Sequence, residues 1–326
     1  MSPSLVTGAA GQIGSRLALA LRADGTEVRA LVRPSHATGA LEEAGVEVVR
    51  GDASDFGTMR AAAEGCSVIY HLAAARGRHK LGHRAYLEQN RMLSQAVGRA
   101  ALAAGARRVV FTSTATVTGY AGPDRQTEDT PARPNSSYRY SRFVDERIFE
   151  EFGRRNGLDV VIVRIPQRVL GPGARDWAKR VRSVRDRRIR VLAQGGSVHA
   201  GDVDDLVDAL RRCAATPGIA GRRYLLGAPA PVPVERLLRT IADCLGVPFA
   251  PRIVSSAPYR SYVALGNLVY RWTRVDLPHH YTAEFYSGRI AYDTARARSE
   301  LGWTPRIETS ESVVRTVSWL REQSLV

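Results

Sequence analysis

Leu5-Val6-Thr7-Gly8-Ala9-Ala10-Gly11-Gln12-Ile13-Gly14-Ser15-Arg16-Leu17 decides the fold of this chain. A short apolar run leads into three glycines spaced three apart, and an alanine- and leucine-rich helical pattern follows. Glycine at those positions removes side chains where the backbone turns tightly, approaches a bound phosphate and packs against the strand. The first N–H groups of the helix and its dipole then favour an anion. Glycine spacing alone is weak evidence, but here a strand precedes it and a helix follows. The stretch reads as a nucleotide site at the first βα turn.

Outward from that turn, short apolar runs alternate with helical patterns, the arrangement of a parallel sheet wrapped by helices. Strands are expected at 4–7, 27–32, 46–50, 67–72, 108–112 and 160–165, and helices at 13–24, 35–44, 56–64, 86–104 and 138–156. Gly25, Gly45, Gly105 and Gly157 stand where helices should stop. After Arg164 the chain becomes irregular, with Gly171-Pro172-Gly173 and Gly195-Gly196 as punctuation. A helix at 202–214, a strand at 223–227 and a closing helix at 310–323 follow. Tyr259–Thr273 is partly amphipathic and carries Arg260 and Arg271, so a lid, a core helix and a membrane-surface helix are all open readings.

Composition bounds the class. The 326 residues suffice for one large domain or two closely joined ones. Hydrophobic residues at 44% and charged residues at 24% describe a globular chain with a substantial core. No leader and no bilayer-spanning run is expected. Cys66, Cys213 and Cys244 are isolated and form no metal or redox spacing, which fits a cytoplasmic location. The net charge of +15 comes almost wholly from arginine, since only Lys80 and Lys179 are lysines. The densest basic run, Arg175–Arg190, has no nucleic-acid signature around it. Solvated arginine is therefore the first reading, an anionic small-molecule substrate the second, and nucleic acid is not expected. Assembly as a homodimer is compatible with the sequence. His79 and His83 are four apart but lack the third ligand of a metal site. His279-His280 either lines a substrate pocket or ends a turn.

Several motifs then agree in order. They are Thr7-Gly8-x-x-Gly11-x-x-Gly14, Gly51-Asp52-x-x-Asp55, His71-Leu72-Ala73-Ala74 and Phe111-Thr112-Ser113-Thr114-Ala115-Thr116-Val117. Tyr138-x-x-x-Arg142, Arg164-Ile165-Pro166, Asp202-Val203-Asp204-Asp205 and Tyr292-Asp293-Thr294 through Leu301-Gly302-Trp303 continue the series. The chain resembles the extended short-chain dehydrogenase/reductase family, also called the NAD-dependent epimerase/dehydratase family, over nearly its whole length.

The resemblance implies an α/β fold, a Rossmann-type doubly wound parallel sheet with a smaller C-terminal substrate-binding region. Residues 1–165 plus about 198–227 would form the dinucleotide domain, and about 166–197 plus 228–326 the substrate region. Gly8, Gly11, Gln12, Ile13 and Gly14 would cradle the pyrophosphate. Asp52, with Ala53 beside it, would accept from the adenine amino group, or else cap the turn before the next helix. Ala73 and Ala74, small at the end of the fourth strand, would let the nicotinamide ribose lie against the backbone, and Ile165 would also touch the cofactor. At the end of the second strand an NAD-preferring member would carry a carboxylate. This chain has Val32 followed by Arg33, with Arg29 earlier in the strand, and a guanidinium suits a 2′-phosphate. The cofactor expected is NADP, with NAD as the alternative.

Tyr138 and Arg142 are four apart and share a helix face, whereas Tyr140 points about 200° away. A tyrosine serves as the proton donor in carbonyl reduction when a fixed positive charge stands beside it. The family places lysine at the position of Arg142. Arginine keeps the charge but is longer, planar and never deprotonated, so ribose geometry and proton relay are in question. Thr114 occupies the family's Ser/Thr position and is the first choice for the hydroxyl that holds the substrate oxygen, with Ser113 as helper. The catalytic set expected is Thr114, Tyr138 and Arg142, and Tyr138 and Arg142 also touch the cofactor. The function expected is an NADP-dependent ketoreductase or dehydrogenase. A nucleotide-sugar epimerase, dehydratase or 4-ketoreductase, and a cofactor-binding regulator without turnover, remain as alternatives. The substrate pocket is expected from 166–194 and 258–286.

Overall fold

The computed structural model describes residues 2–75, 82–119 and 125–326. Its centre is a seven-stranded sheet made of β1 (Ser4–Thr7), β2 (Val28–Val32), β3 (Glu47–Arg50), β4 (Val68–His71), β5 (Arg108–Thr114), β6 (Val160–Ile165) and β7 (Arg223–Leu225). The spatial order is β7-β6-β5-β4-β1-β2-β3. Every pairing in the sheet is parallel. Parallel strands need crossovers, and these are helices on both faces, which is why the strands read as unbroken apolar runs. The chain reverses direction across the sheet between β1 and β4, where ligands bind in open sheets of this kind.

One face is covered by α1 (Gln12–Ala23) and α7 (Val203–Ala215), with Leu17, Leu210 and Trp303 in its core. The other carries α3 (Phe56–Ala63), α4 (His83–Ala103) and α5 (Ser137–Asn156), packed on Ile69, Phe111 and Phe149. Between β2 and β3 only Gly39–Glu43 is helical (α2), much less than the 35–44 expected. Arg50 instead ties that segment as a loop, donating to the carbonyls of Pro34 and His36 and to the Thr38 hydroxyl. Gly25, Gly45, Gly105 and Gly157 all have positive φ, the conformation that ends a helix at low cost for glycine.

Outside the sheet, α6 (Ala178–Arg185), α8 (Val234–Leu245) and α12 (Thr309–Glu322) enclose a separate core of Trp177, Val181, Leu238 and Leu320. The remaining helices are α9 (Ala257–Thr273), α10 (His280–Ser287) and α11 (Ala295–Leu301). Buried ion pairs tie these parts together. Glu284 on α10 grips Arg139 on α5 through both oxygens, at 2.8 and 2.7 Å. Burial alone would raise the Glu284 carboxyl, but the charge and hydrogen bonds of Arg139 hold it below the usual range. Glu146 holds Arg164 of β6 in the same two-point manner.

Candidate active site

A cavity of about 560 Å³ opens at the carboxyl ends of β1, β2, β4 and β5, where the strand order reverses. The glycine turn forms its floor. Gly8 has φ of +70°, and a Cβ there would lie 2.8 Å from the amide nitrogen of Ala73 on the neighbouring strand end. A Cβ at Gly14 would lie 2.3 Å from the Gly8 carbonyl oxygen. No side chain fits at either position. Helix α1 begins at Gly11 without any side chain capping its first N–H groups, which leaves them for an anion. Gln12 donates to the carbonyls of Leu170 and Pro172 at 3.2 Å each, locking the turn to the segment after β6.

All of Gly8, Gly11, Gln12, Ile13, Gly14, Arg33, Asp52, Ala53, Ala73, Tyr138, Arg142 and Ile165 line this one cavity. At one end Arg33 stands 3.2 Å from the ring of His36, and both face the cavity. Arg29, the other candidate for a 2′-phosphate, is spent elsewhere. Its guanidinium donates to the carbonyls of Ala62 and Glu64 and pairs with Glu47 at 2.9 Å. Asp52 folds one carboxylate oxygen onto the Ser54 amide and hydroxyl, at 2.9 and 2.8 Å. The cap of α3 belongs to Asp55, which accepts from the Thr58 amide and whose carboxyl is lowered by that bond.

At the catalytic end the lining includes Thr112 and Ser113. Ser113 lines the cavity and its buried hydroxyl has no hydrogen-bond partner among the described residues. Thr114 is absent from the lining. The strand runs on to Thr114 and then tightens into a 3-10 turn, Ala115–Thr118, and the Thr114 hydroxyl caps that turn through Thr116. Thr112 and Ser113 thus line the cavity, while the Thr114 hydroxyl is engaged in the turn.

Tyr138 sits in the first turn of α5, on the cavity, with Tyr86 edge-on at 6.4 Å between ring centres. Tyr140 lies elsewhere, against His83 and Arg274. Arg142 lines the same wall but its guanidinium is turned inward. It donates to the Thr112 carbonyl at 2.5 Å, pairs with Asp145 at 2.9 Å and covers the face of Phe111. Burial pushes the Asp145 carboxyl up to about 6, against the pull of Arg142. Behind them His71 is wholly buried and held by Thr7 at 2.8 Å. Burial, with the Arg142 charge second, lowers the ring to about 3, so His71 stays neutral.

Two contributors, Asn90 and His36, escaped the sequence reading. Buried Asn90 on α4 accepts from the Ala75 amide and donates to Ser141, fixing the β4 exit against α5. His36 joins Arg33 only because the loop after β2 folds back. Arg168, Trp177 and Arg180 line the cavity from the expected 166–194 segment. None of the residues 258–286, expected to contribute, is on its lining. His280 is buried between α9 and α10, where a Cβ on Gly266 would strike its ring, and His279 precedes α10. His79 lies outside the described residues. Among the described residues no cluster of three metal-ligating side chains occurs, and no helix is long and apolar enough to cross a membrane.

A glycine cradle, uncapped helix N–H groups and an orphaned hydroxyl beside Tyr138 fit a bound nicotinamide dinucleotide. The fold and site define a dinucleotide-binding α/β enzyme. The chain belongs to the NAD dependent epimerase/dehydratase family, whose model matches residues 4–227, and whose members, the extended short-chain dehydrogenases/reductases, are NAD(P)-dependent enzymes. It is 30% identical to sterol demethylase protein B of Methylococcus capsulatus, over 99% of both chains. Identity to the 2-alkyl-3-oxoalkanoate reductase of Shewanella oneidensis is 26%, over 97% of this chain and 85% of that one. The dTDP-glucose 4,6-dehydratase of Streptomyces venezuelae, solved with NAD bound, superposes with a TM-score of 0.80 at 26% identity, over 98% of this chain and 97% of that one.

Proposed function

We propose that this chain is an NADP-dependent reductase of a small-molecule ketone, running in reverse as a secondary-alcohol dehydrogenase. The observation that carries the reading is that Tyr138 and Ser113, whose hydroxyl has no hydrogen-bond partner among the described residues, line the same cavity at the strand ends. When bound, the reduced nicotinamide supplies a hydride to the carbonyl carbon. Ser113 donates a hydrogen bond to the carbonyl oxygen and orients it, and the Tyr138 hydroxyl gives that oxygen its proton. Arg142 braces the wall behind Tyr138 through the Thr112 carbonyl. Arg33 and His36, standing where an NAD-preferring site carries a carboxylate, support NADP.

Turnover of NADPH with a panel of ketones, compared between the unmodified enzyme and Tyr138→Phe, tests the reading. Loss of only the phenolic hydroxyl should lower turnover by about 10² or more while cofactor binding survives. Full activity in Tyr138→Phe rejects it. One observation favours a second reading. Arg168 and Arg180 on the cavity beyond the strand ends suit a diphosphate, and the similar dTDP-glucose dehydratase acts on a nucleotide sugar. Redox-neutral conversion of a nucleotide sugar, without net NADPH consumption, would select that alternative.

A further inference from the structure

Helix α9 is exposed in a way its composition does not explain. Of its seventeen residues only Gly266 and Tyr270 are buried. Its inner side is well seated: Asn135 donates to Asn267 at 2.7 Å, and the Tyr270 hydroxyl meets the His83 ring at 3.2 Å. The outer side is apolar. Ala264, Leu265, Leu268 and Trp272 fall in a stripe about 100° wide on a 3.6-residue helix. Leu265 is 51% exposed, Leu268 54% and Trp272 76%, and Val275, just past the helix, 55%. The strand segment that leads into the helix exposes Ile253 as well.

We infer that the outer stripe of α9 docks on an anionic lipid bilayer, lying flat in the headgroup region. Charge argues for this occupant. From Cys244 to Val275 there is no Asp or Glu, whereas Arg252, Arg260, Arg271 and Arg274 all fall within that span. Arg260 and Arg271 border the stripe along one edge, so cations would meet lipid phosphates while the apolar side chains enter the acyl boundary. An exposed tryptophan between such cations suits the interface, where its ring is buried and its N–H stays wet. A second copy of the chain fits poorly. Each copy carries +15, and pairing this stripe on itself would bring arginine edges together. The inner side of α9 rests on the start of α5, and Asp276 accepts from the Ser137 amide at 3.1 Å, next to Tyr138. The docking stands apart from the reaction assigned above.

Co-sedimentation of the full chain with vesicles tests it, using phosphatidylcholine alone and phosphatidylcholine with about a third phosphatidylglycerol. The expected result is binding to the anionic vesicles that weakens in about 0.5 M salt. The paired variants Leu268→Ser with Trp272→Ser, and Arg260→Ala with Arg271→Ala, should each lower the partition coefficient at least about tenfold. All four side chains are exposed, so the melting temperature and the NADPH turnover of vesicle-free protein should not move. No binding to anionic vesicles overturns the inference, as does binding that both variants leave intact. Self-association abolished by Leu268→Ser with Trp272→Ser, without vesicle binding, would assign the stripe to a second copy instead.

Discussion

Arg142 and Asp145, one turn apart on α5, form a buried ion pair at 2.9 Å inside the wall of the cavity. The carboxyl is the member of the pair whose proton affinity the fold shifts. Burial places it about 6 in the folded protein, above its ordinary value of 3.8. The folded state therefore binds the extra proton between those values, and this group's contribution to stability is present below the lower value and lost as pH rises through the upper one. Asp145→Asn, neutral throughout, should gain about 1–3 kcal/mol relative to the unmodified protein between pH 4 and pH 7. Urea unfolding at several pH values measures this. A difference that stays constant would mean that Arg142 keeps Asp145 ionised across the whole range.

The neighbouring hydroxyls Ser113 and Thr114 should separate in their effects. Ser113→Ala removes a buried hydroxyl without a partner among the described residues, so stability should hold or rise slightly while turnover falls about tenfold or more. Thr114→Ala removes the cap of the Ala115–Thr118 turn and should cost about 1 kcal/mol of stability, with the smaller effect on turnover. The reverse order of the two turnover losses would return Thr114 to the reacting oxygen.

Cofactor choice should track Arg33. NADPH is expected to bind at least about tenfold tighter than NADH, roughly 1.4 kcal/mol. Arg33→Ala should remove most of that gap with NADH affinity nearly unchanged, and His36→Ala should narrow it by a smaller factor. Fluorescence titration of both dinucleotides reads the ratio. Equal affinities in the unmodified protein would rule out a 2′-phosphate site here.

Asp52→Ala should weaken NADH and NADPH by the same factor, because adenine is common to both. Its bonds to Ser54 tighten only a turn and α3 keeps its own cap at Asp55, so the stability loss should stay below about 1 kcal/mol. A larger drop in melting temperature with unchanged affinities would make Asp52 a turn residue and nothing more.

The sequence by itself determined the sheet, its helices and the location of the site. Those features follow from local rules: apolar runs of strand length, helical periodicity, and glycines at Gly8 and Gly14 that no other residue can replace without striking backbone. Tyr138 and Arg142 sharing one wall follows equally from helix geometry, and both line the cavity. What the side chains do once there was decided only by the tertiary structure. Arg29 and Arg33 are equivalent as letters, yet Ala62, Glu64 and Glu47 claim the first and leave the second at the cavity. Ser113 and Thr114 are adjacent hydroxyls, and the turn that follows β5 takes one of them as its cap. The inward turn of Arg142 depends on Asp145 and on a carbonyl thirty residues away, and the loop that brings His36 to Arg33 depends on Arg50 from the next strand. Each outcome is a competition for hydrogen-bond partners among residues far apart in the chain, and only the packed fold brings the competitors together.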